Sequence, residues 1–270
     1  MPEGDTIHRT AARLSRALGG KKVVRFESTV PEIARALAGQ MEGRAVTAVE
    51  ARGKHLAVRF DDGHVLLTHM RMTGSWHLYR PHEKWWQPAH LARVVIGVGP
   101  EKGDDPLLAV CFAAPVVRLV REAEADRDLA TLGPDVVAER FAPDAALAEL
   151  RAVGGDRPIG VAIMDQRALA GVGNVYKSEV LFAERVSPLA PVASLDDATL
   201  TAIVARARTL MRRNLRPDQG LRTTTRGLAG ERYAVYRRSG KPCPRCGAAI
   251  ARIVQGEMRR STYYCPRCQA

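Results

Sequence analysis

Residues 171–179 read GVGNVYKSE, two glycines and an asparagine set between the apolar stretch AIMDQRALA at 162–170 and a helical pattern that runs on to Glu184. Glycine enters backbone conformations closed to other residues, so Gly171 and Gly173 permit a tight turn, and Asn174 is suited to cap the helix that follows. Open amides at a helix start can hold a phosphate. A hinge between helices needs glycines whether or not it touches a ligand, and both uses stand. A dinucleotide-binding loop is excluded, because no strand precedes Gly171 and the third glycine of that fingerprint is missing.

Around this hinge the chain is helical. APDAALAELRAV at 142–153, PIGVAIMDQRAL at 158–169, NVYKSEVLFAE at 174–184 and DDATLTAIVARARTLMRRNL at 196–215 all carry a helical apolar period. The last opens on Asp196 or Asp197 as a cap and places Leu200, Ile203, Val204, Ala207 and Met211 on one face. Upstream the pattern differs. Residues 3–18 put Ile7, Ala11, Leu14 and Leu18 on one helical face, and Gly19-Gly20 ends the run. KKVVRFES, RAVTAVEARGKHLAVRF, GHVLLTHMRMTGSWHLY, HLARVVIGV and LLAVCFAAPVVRLV then follow as short β-branched segments between turns. These predict a β-sandwich with the first helix laid against it. The chain is thus a multidomain α and β protein. Residues 1–122 form the sandwich, 123–133 a charged linker broken at Gly133-Pro134, 134–230 a helical domain, and 231–270 a cysteine-bearing module.

The four cysteines of that module stand as Cys243–Cys246 and Cys265–Cys268, each pair within CPRC, with 18 strand-like residues between them. Two CxxC turns joined by a hairpin bring four sulfurs to a tetrahedron, which suits one structural zinc ion and leaves no open coordination position. A module of this size builds little core of its own, so the metal supplies the missing stability. Disulfides suit an exported chain better, and a redox CxxC usually comes singly. Zinc knuckles also mediate protein contacts. Here the setting is basic, with Arg259-Arg260 between the pairs and Arg237-Arg238 and Lys241 just ahead. The fifth cysteine, Cys111, reads as an apolar filler within LLAVCFAAP.

Charge distribution points the same way. The 270 residues carry a net +12, yet the excess is local. From Thr201 onward there are 16 Arg and Lys against 3 Asp and Glu, whereas the first 200 residues hold 25 against 26. A basic C-terminal part on a near-neutral body suits a polyanion. A membrane surface is disfavoured, since no basic helix carries a large aromatic-rich apolar face. No apolar run approaches the ~20 residues of a membrane span, and no leader pattern opens the chain. The expectation is a monomer of the cytoplasm or nucleoid with no membrane partner.

The opening MPEGDTIH places Pro2 where removal of Met1 frees a secondary amine beside Glu3. An N-terminus of this kind is either frayed or an N-terminal nucleophile with an acid at hand. Lys54, beside Gly53 in ARGKHLAVRF, is placed to approach a phosphate. Of Met70 and Met72 in THMRMTG, Met72 is the better candidate for a wedge between bases. Trp85 and Trp86 in KWWQPAH have two readings, stacking on bases or packing, and packing is the expectation.

Taken together, PEG, RGKHL, THMRMTG, DQRALAGVGNVYKSEVLF and RRSTYYCPRCQ, in that order, resemble the formamidopyrimidine-DNA glycosylase and endonuclease VIII family from end to end. The resemblance implies a β-sandwich, a helix–two-turn–helix domain and a C-terminal four-cysteine zinc finger, with damaged DNA as partner and no organic cofactor. It implies a bifunctional DNA glycosylase and AP lyase, with Pro2 as nucleophile and Glu3 in acid–base catalysis. Lys54, Asn174 and Arg260 would hold DNA, and Met72 would fill the gap left by the flipped base. Two departures stand out. AVCFAAPVVRL replaces the DPRRFG loop of the 8-oxoguanine branch, which moves the expected substrate toward oxidised pyrimidines. Asp5 and Thr6 stand where many members have proline and glutamate. The competing expectation is a DNA-damage or abasic-site binder without catalysis.

Overall fold

The apolar period of the opening stretch produces α1 (Gly4–Leu18), with Ile7, Ala11, Leu14 and Leu18 all buried. Each leucine sealed from water contributes about 1.5–3 kcal/mol. The helix stops at Gly19-Gly20, where Gly20 takes φ 73° and its N–H turns to Val46 O. The computed structural model describes residues 2–36, 40–80, 82–99, 106–215, 221–225 and 231–270. These fall into two units: Pro2 with Thr6–Ala130, and Glu3–Asp5 with Thr131–Ala270. Met1 and the domain boundary expected at 230 lie outside the described residues.

In the first unit the chain runs through β1 (Val23–Ser28), α2 (Pro31–Ala36), β2 (Val46–Arg52), β3 (His55–Phe60), β4 (His64–His69), β5 (Ser75–Tyr79), β6 (Ala92–Val98), β7 (Leu107–Phe112), β8 (Val116–Arg121) and α3 (Glu122–Ala130). Among the described residues these strands make two antiparallel four-stranded sheets, ordered β1-β6-β7-β5 and β2-β3-β4-β8. One core joins them: Phe26, Ile96 and Cys111 meet Leu56, Val58 and Leu66, with Ile7, Leu14 and Leu18 of α1. Cys111 is the buried filler the sequence suggests, and burial pushes its thiol up. The segment read as a linker is ordered instead. α3 buries Ala125 and Leu129, and its acids meet strand arginines: Arg59 reaches Glu122 at 2.9 Å and Asp126 at 2.7 Å, and Arg118 reaches Asp128 at 2.5 Å. The division between units falls after Ala130.

The second unit holds α4 (Pro143–Gly154), α5 (Ile159–Ala162), α6 (Asn174–Ala183) and α7 (Asp197–Arg213), then β9 (Ala251–Gln255) paired antiparallel with β10 (Arg260–Tyr264). Leu150, Ile163, Tyr176, Val180, Ile203 and Met211 share its core. Asp196 caps α7, accepting the Thr199 N–H at 2.7 Å. The helix expected over 158–169 shrinks to the single turn of α5. Asp165 accepts the Arg167 backbone N–H at 3.1 Å and also binds the side chains of Arg167 and Arg157, so its carboxylate competes with the helical ladder. Those partners, Arg167 first, hold the Asp165 carboxyl down at about 2.

Candidate active site

Helix α6 is buried from Asn174 to Phe182, so both of its ends need partners within the protein. Glu3 supplies the first. Its carboxylate, fully buried, accepts the N–H groups of Gly173 at 3.1 Å, Val175 at 2.8 Å and Tyr176 at 3.4 Å. An anion on the open amides of a helix start satisfies both their hydrogen bonding and the helix dipole. A Cβ at Gly173 would lie 2.5 Å from Glu3 Cδ, so only glycine leaves room for this carboxylate. The Gly4 N–H donates to Gly171 O at 3.0 Å, and a Cβ on Gly4 would sit 2.9 Å from Gly171 Cα. The glycines of PEG and GVG are therefore mutually required.

Two expectations for this turn change. The amides that might have bound phosphate carry Glu3 instead, and Asn174 does not cap the helix. Asn174 is the first helical residue and is buried, and its Oδ1 has no hydrogen-bond partner among the described residues.

Asp5, read only as a departure, is buried and anchors the same segment. It accepts Arg222 Nε at 2.7 Å, Arg222 Nη2 at 2.5 Å and the Tyr176 hydroxyl at 2.9 Å. The Arg222 guanidinium lies 5.3 Å from the Tyr176 ring. Burial opposes the charge of Arg222, but Glu3 and Asp5 more than offset it and its pKa rises. Burial and the Asp5 charge push the Tyr176 hydroxyl up. Nothing local in the sequence marks Arg222, which stands 217 residues from Asp5.

Lys177 was also missed. It is fully buried, an uncommon state for lysine, and its Nζ donates to Ser261 O at 3.3 Å. Burial and the half-buried Arg260 lower its pKa to about 7, against the opposing pull of Glu3. The available signal was a lysine inside an otherwise enclosed helix, VYKSEVLF. Glu3, Asn174, Lys177 and Arg260 are thus brought together around the first turns of α6, and Pro2, half-buried, is bonded directly to Glu3.

At the other end of α6, Arg245 donates to Phe182 O at 2.6 Å and Ala183 O at 3.0 Å, a cation on the last carbonyls. Arg245 belongs to the first CPRC turn. The sulfurs of Cys243, Cys246, Cys265 and Cys268 all lie within 4.8 Å of one another, with Cys243 to Cys268 at 3.9 Å and Cys246 to Cys265 at 3.5 Å. A tetrahedral zinc–thiolate site has sulfur–sulfur edges of about 3.8 Å, so these residues fit one structural zinc ion. The backbone N–H groups of Arg245 and Cys268 point at Cys243 and Cys265 sulfurs, each at 3.4 Å.

The remaining candidates stand in the first unit and are described there alone. Lys54, half-buried, follows Gly53 in the two-residue turn between β2 and β3, where Arg52 pairs with His55. Met70 is core, whereas Met72 is 53% exposed on the turn after β4, as the preference between them anticipated. Trp85 packs against Tyr79 and Phe112, but Trp86 is 80% exposed and does not pack as expected. AVCFAAPVVRL forms β7 and β8 with only Ala113–Pro115 between them.

Comparison with known proteins covers the whole chain. Residues 1–103 match the formamidopyrimidine-DNA glycosylase N-terminal domain, 132–226 its H2TH domain, and 240–270 the zinc finger found in FPG and IleRS. A probable endonuclease 8 2 of Streptomyces coelicolor is 40% identical over 273 residues, covering 100% of this chain and 94% of that one. The DNA-(apurinic or apyrimidinic site) lyase Nei2 of Mycolicibacterium smegmatis is 38% identical, covering 100% and 99%. The fold matches a Lactococcus lactis formamidopyrimidine-DNA glycosylase bound to DNA with an AP site, at TM-score 0.80 and 21% identity over 99% of both chains.

Proposed function

Because the chain belongs from end to end to the formamidopyrimidine-DNA glycosylase and endonuclease VIII family, whose members are DNA glycosylases and AP lyases, we propose that it excises oxidised bases from DNA through a Schiff base on Pro2 and then cleaves the strand by β,δ-elimination. The observation that carries this reading is the seat of Glu3, a carboxylate held on the start of α6 next to the residue with the reactive amine.

Removal of Met1 leaves Pro2 with an α-amine that titrates near ~8, well below a lysine near ~10, so a useful fraction is neutral at physiological pH. A base flipped out of the duplex exposes C1′ of its sugar. The Pro2 nitrogen lone pair forms the bond to C1′, and the damaged base leaves with the electrons of the glycosidic bond. The ammonium nitrogen so formed gives its proton to Glu3; the C1′–O4′ bond then breaks as the nitrogen lone pair forms an iminium ion, and Glu3 passes that proton to O4′. The iminium acidifies the C2′ proton. Loss of that proton sends electrons toward the iminium, and the 3′ phosphate departs with its C–O electron pair. A second elimination at C4′ and C5′ releases the other phosphate and leaves a one-nucleotide gap.

Lys54, Arg260 and Asn174 hold the strand around the lesion, and Met72 enters the space the flipped base vacates. The exposure of Met72 and the oxygen of buried Asn174, without a hydrogen-bond partner among the described residues, support those roles. The short β7–β8 connection and the endonuclease 8 relatives favour oxidised pyrimidines over 8-oxoguanine. The four cysteines would hold one zinc ion, which when bound supplies rigidity to the hairpin carrying Arg260. Among the described residues no helix is long and apolar enough to cross a membrane. We place the enzyme with its DNA at the nucleoid, acting as a monomer.

Borohydride trapping tests the mechanism. Purified protein with Met1 removal verified by mass is mixed with an abasic duplex and an oxidised-pyrimidine duplex, alongside a form blocked at the Pro2 amine. A covalent adduct that forms on both duplexes and disappears with the blocked amine is expected. Tight binding with no adduct on either duplex would leave a damage-binding protein without catalysis.

A further inference from the structure

One buried side chain lies under the influence of both Glu3 and Arg260. Lys177 stands one turn into α6, the helix whose first amides carry Glu3, and its ammonium donates to Ser261, the residue after Arg260 on β10. The side chain is fully buried, and among the described residues it donates to one backbone oxygen. Neighbouring charges are otherwise engaged. Arg222 is turned to Asp5, and Asp5 also takes the Tyr176 hydroxyl. Glu179, two residues on, faces the N–H groups of Ala234, Val235 and Tyr236. Glu3 and Arg260 both act on Lys177, and they act in opposite directions.

We propose that Lys177 is a positioning residue for Glu3, and that it gains a proton when a DNA phosphate neutralises the charge of Arg260. This rests on the reading of Arg260 as a phosphate contact. In the free protein, burial and the Arg260 charge leave Lys177 half-protonated near neutrality, since its pKa is about 7. A phosphodiester on Arg260 removes one of the two forces against the ammonium, while the pull of Glu3 stays. Lys177 then takes up a proton, and a positive charge is fixed beside the Glu3 carboxylate only when DNA is in place. Contact at the zinc-finger hairpin is thereby reported to the acid–base group through one buried side chain.

Linkage gives the sign. If binding raises the pKa of Lys177, complex formation consumes a proton, and affinity falls as pH rises above 7, by up to about tenfold per pH unit at its steepest. The probe is a duplex with a tetrahydrofuran abasic analogue, which binds without reacting, titrated at constant salt from pH 6.5 to 9. Wild-type protein should show the slope, with proton uptake confirmed by calorimetry in two buffers of different ionisation heat. Lys177→Met, similar in length and never charged, should bind with the slope and the uptake both reduced to the part the Pro2 amine contributes, read from wild-type protein blocked at that amine. Lys177→Arg, always charged, should show only that same part across the same range.

A Lys177→Met protein that retains the wild-type slope overturns the proposal, as does a wild type with no slope. Arg260→Ala separates the two layers. If it weakens binding while Lys177→Met keeps the slope, only the role of Lys177 fails. If it binds as tightly as wild type, the phosphate contact fails and this proposal with it.

Discussion

Helix α6 carries two buried carboxylates treated in nearly the same way, one before its first turn and one in its middle. Glu3 accepts three backbone N–H groups, from Gly173, Val175 and Tyr176. Glu179 also accepts three, from Ala234, Val235 and Tyr236, at 2.8–2.9 Å, together with the Thr224 hydroxyl. Both satisfy amides that would otherwise be left without partners in the interior. They differ in company. The shell of Glu179 is made of neutral donors, and it ties α6 to the chain leading into the zinc module. Glu3 is bonded to Pro2 and feels the charges of Lys177 and Arg222. A carboxylate on a nest of amides is thus a structural solution first; the bond to Pro2 and the nearby buried cations set the seat of Glu3 apart, and they are what the proposed catalytic role rests on.

The largest expected effect separates the two seats by the metal. Structural zinc contributes roughly 10 kcal/mol or more to small modules of this type. Chelation should raise hydrogen exchange at Ala234–Tyr236 and abolish DNA binding, while Val175 and Tyr176 lose far less protection. Metal-free protein that keeps its DNA affinity and its protection at 234–236 would break the assignment of the cysteines. Next comes Glu3→Gln. It should slow Schiff-base formation and strand cleavage in single-turnover assays by about 10²–10⁴-fold, roughly 3–5 kcal/mol, while still binding the abasic duplex. Equal rates for wild type and variant would erase the distinction between the seats.

Asp5→Asn tests what holds the Glu3 segment down. It leaves the Arg222 guanidinium buried beside a neutral amide, and urea unfolding should show a loss of about 3 kcal/mol. A variant as stable as wild type would mean that Asp5 does not anchor the segment. Smallest is Glu179→Gln, expected to cost about 1–3 kcal/mol in stability, with the rate per folded molecule unchanged. A matching loss of rate would move Glu179 into the chemistry.

Patterns confined to neighbouring residues were legible from the sequence. The alternating strands, the period of α1 and α7, the Asp196 cap and the two CPRC turns all express themselves within a few positions. Illegible were features made by contacts across long stretches of chain. α3 looks like a charged linker until Arg59 and Arg118 are seen against its acids. Asn174 looks like a cap because the true occupant of those amides is 170 residues away. Trp86 misled differently: its neighbour Trp85 packs against Phe112, while Trp86 stays 80% exposed with its ring 5.7 Å from that of His77.

The distance along the chain between Glu3 and its amides also orders events in time. Residue 3 leaves the ribosome early, yet the backbone it must bind is 170 to 173 residues behind. At 5–20 residues per second that interval is roughly 10–30 s. Asp5 waits longer still, for Arg222. A nascent or prematurely ended polypeptide therefore carries the amine proposed to cut the strand without the seat beside it. Competence to cut DNA arrives only once the last third of the protein has been made.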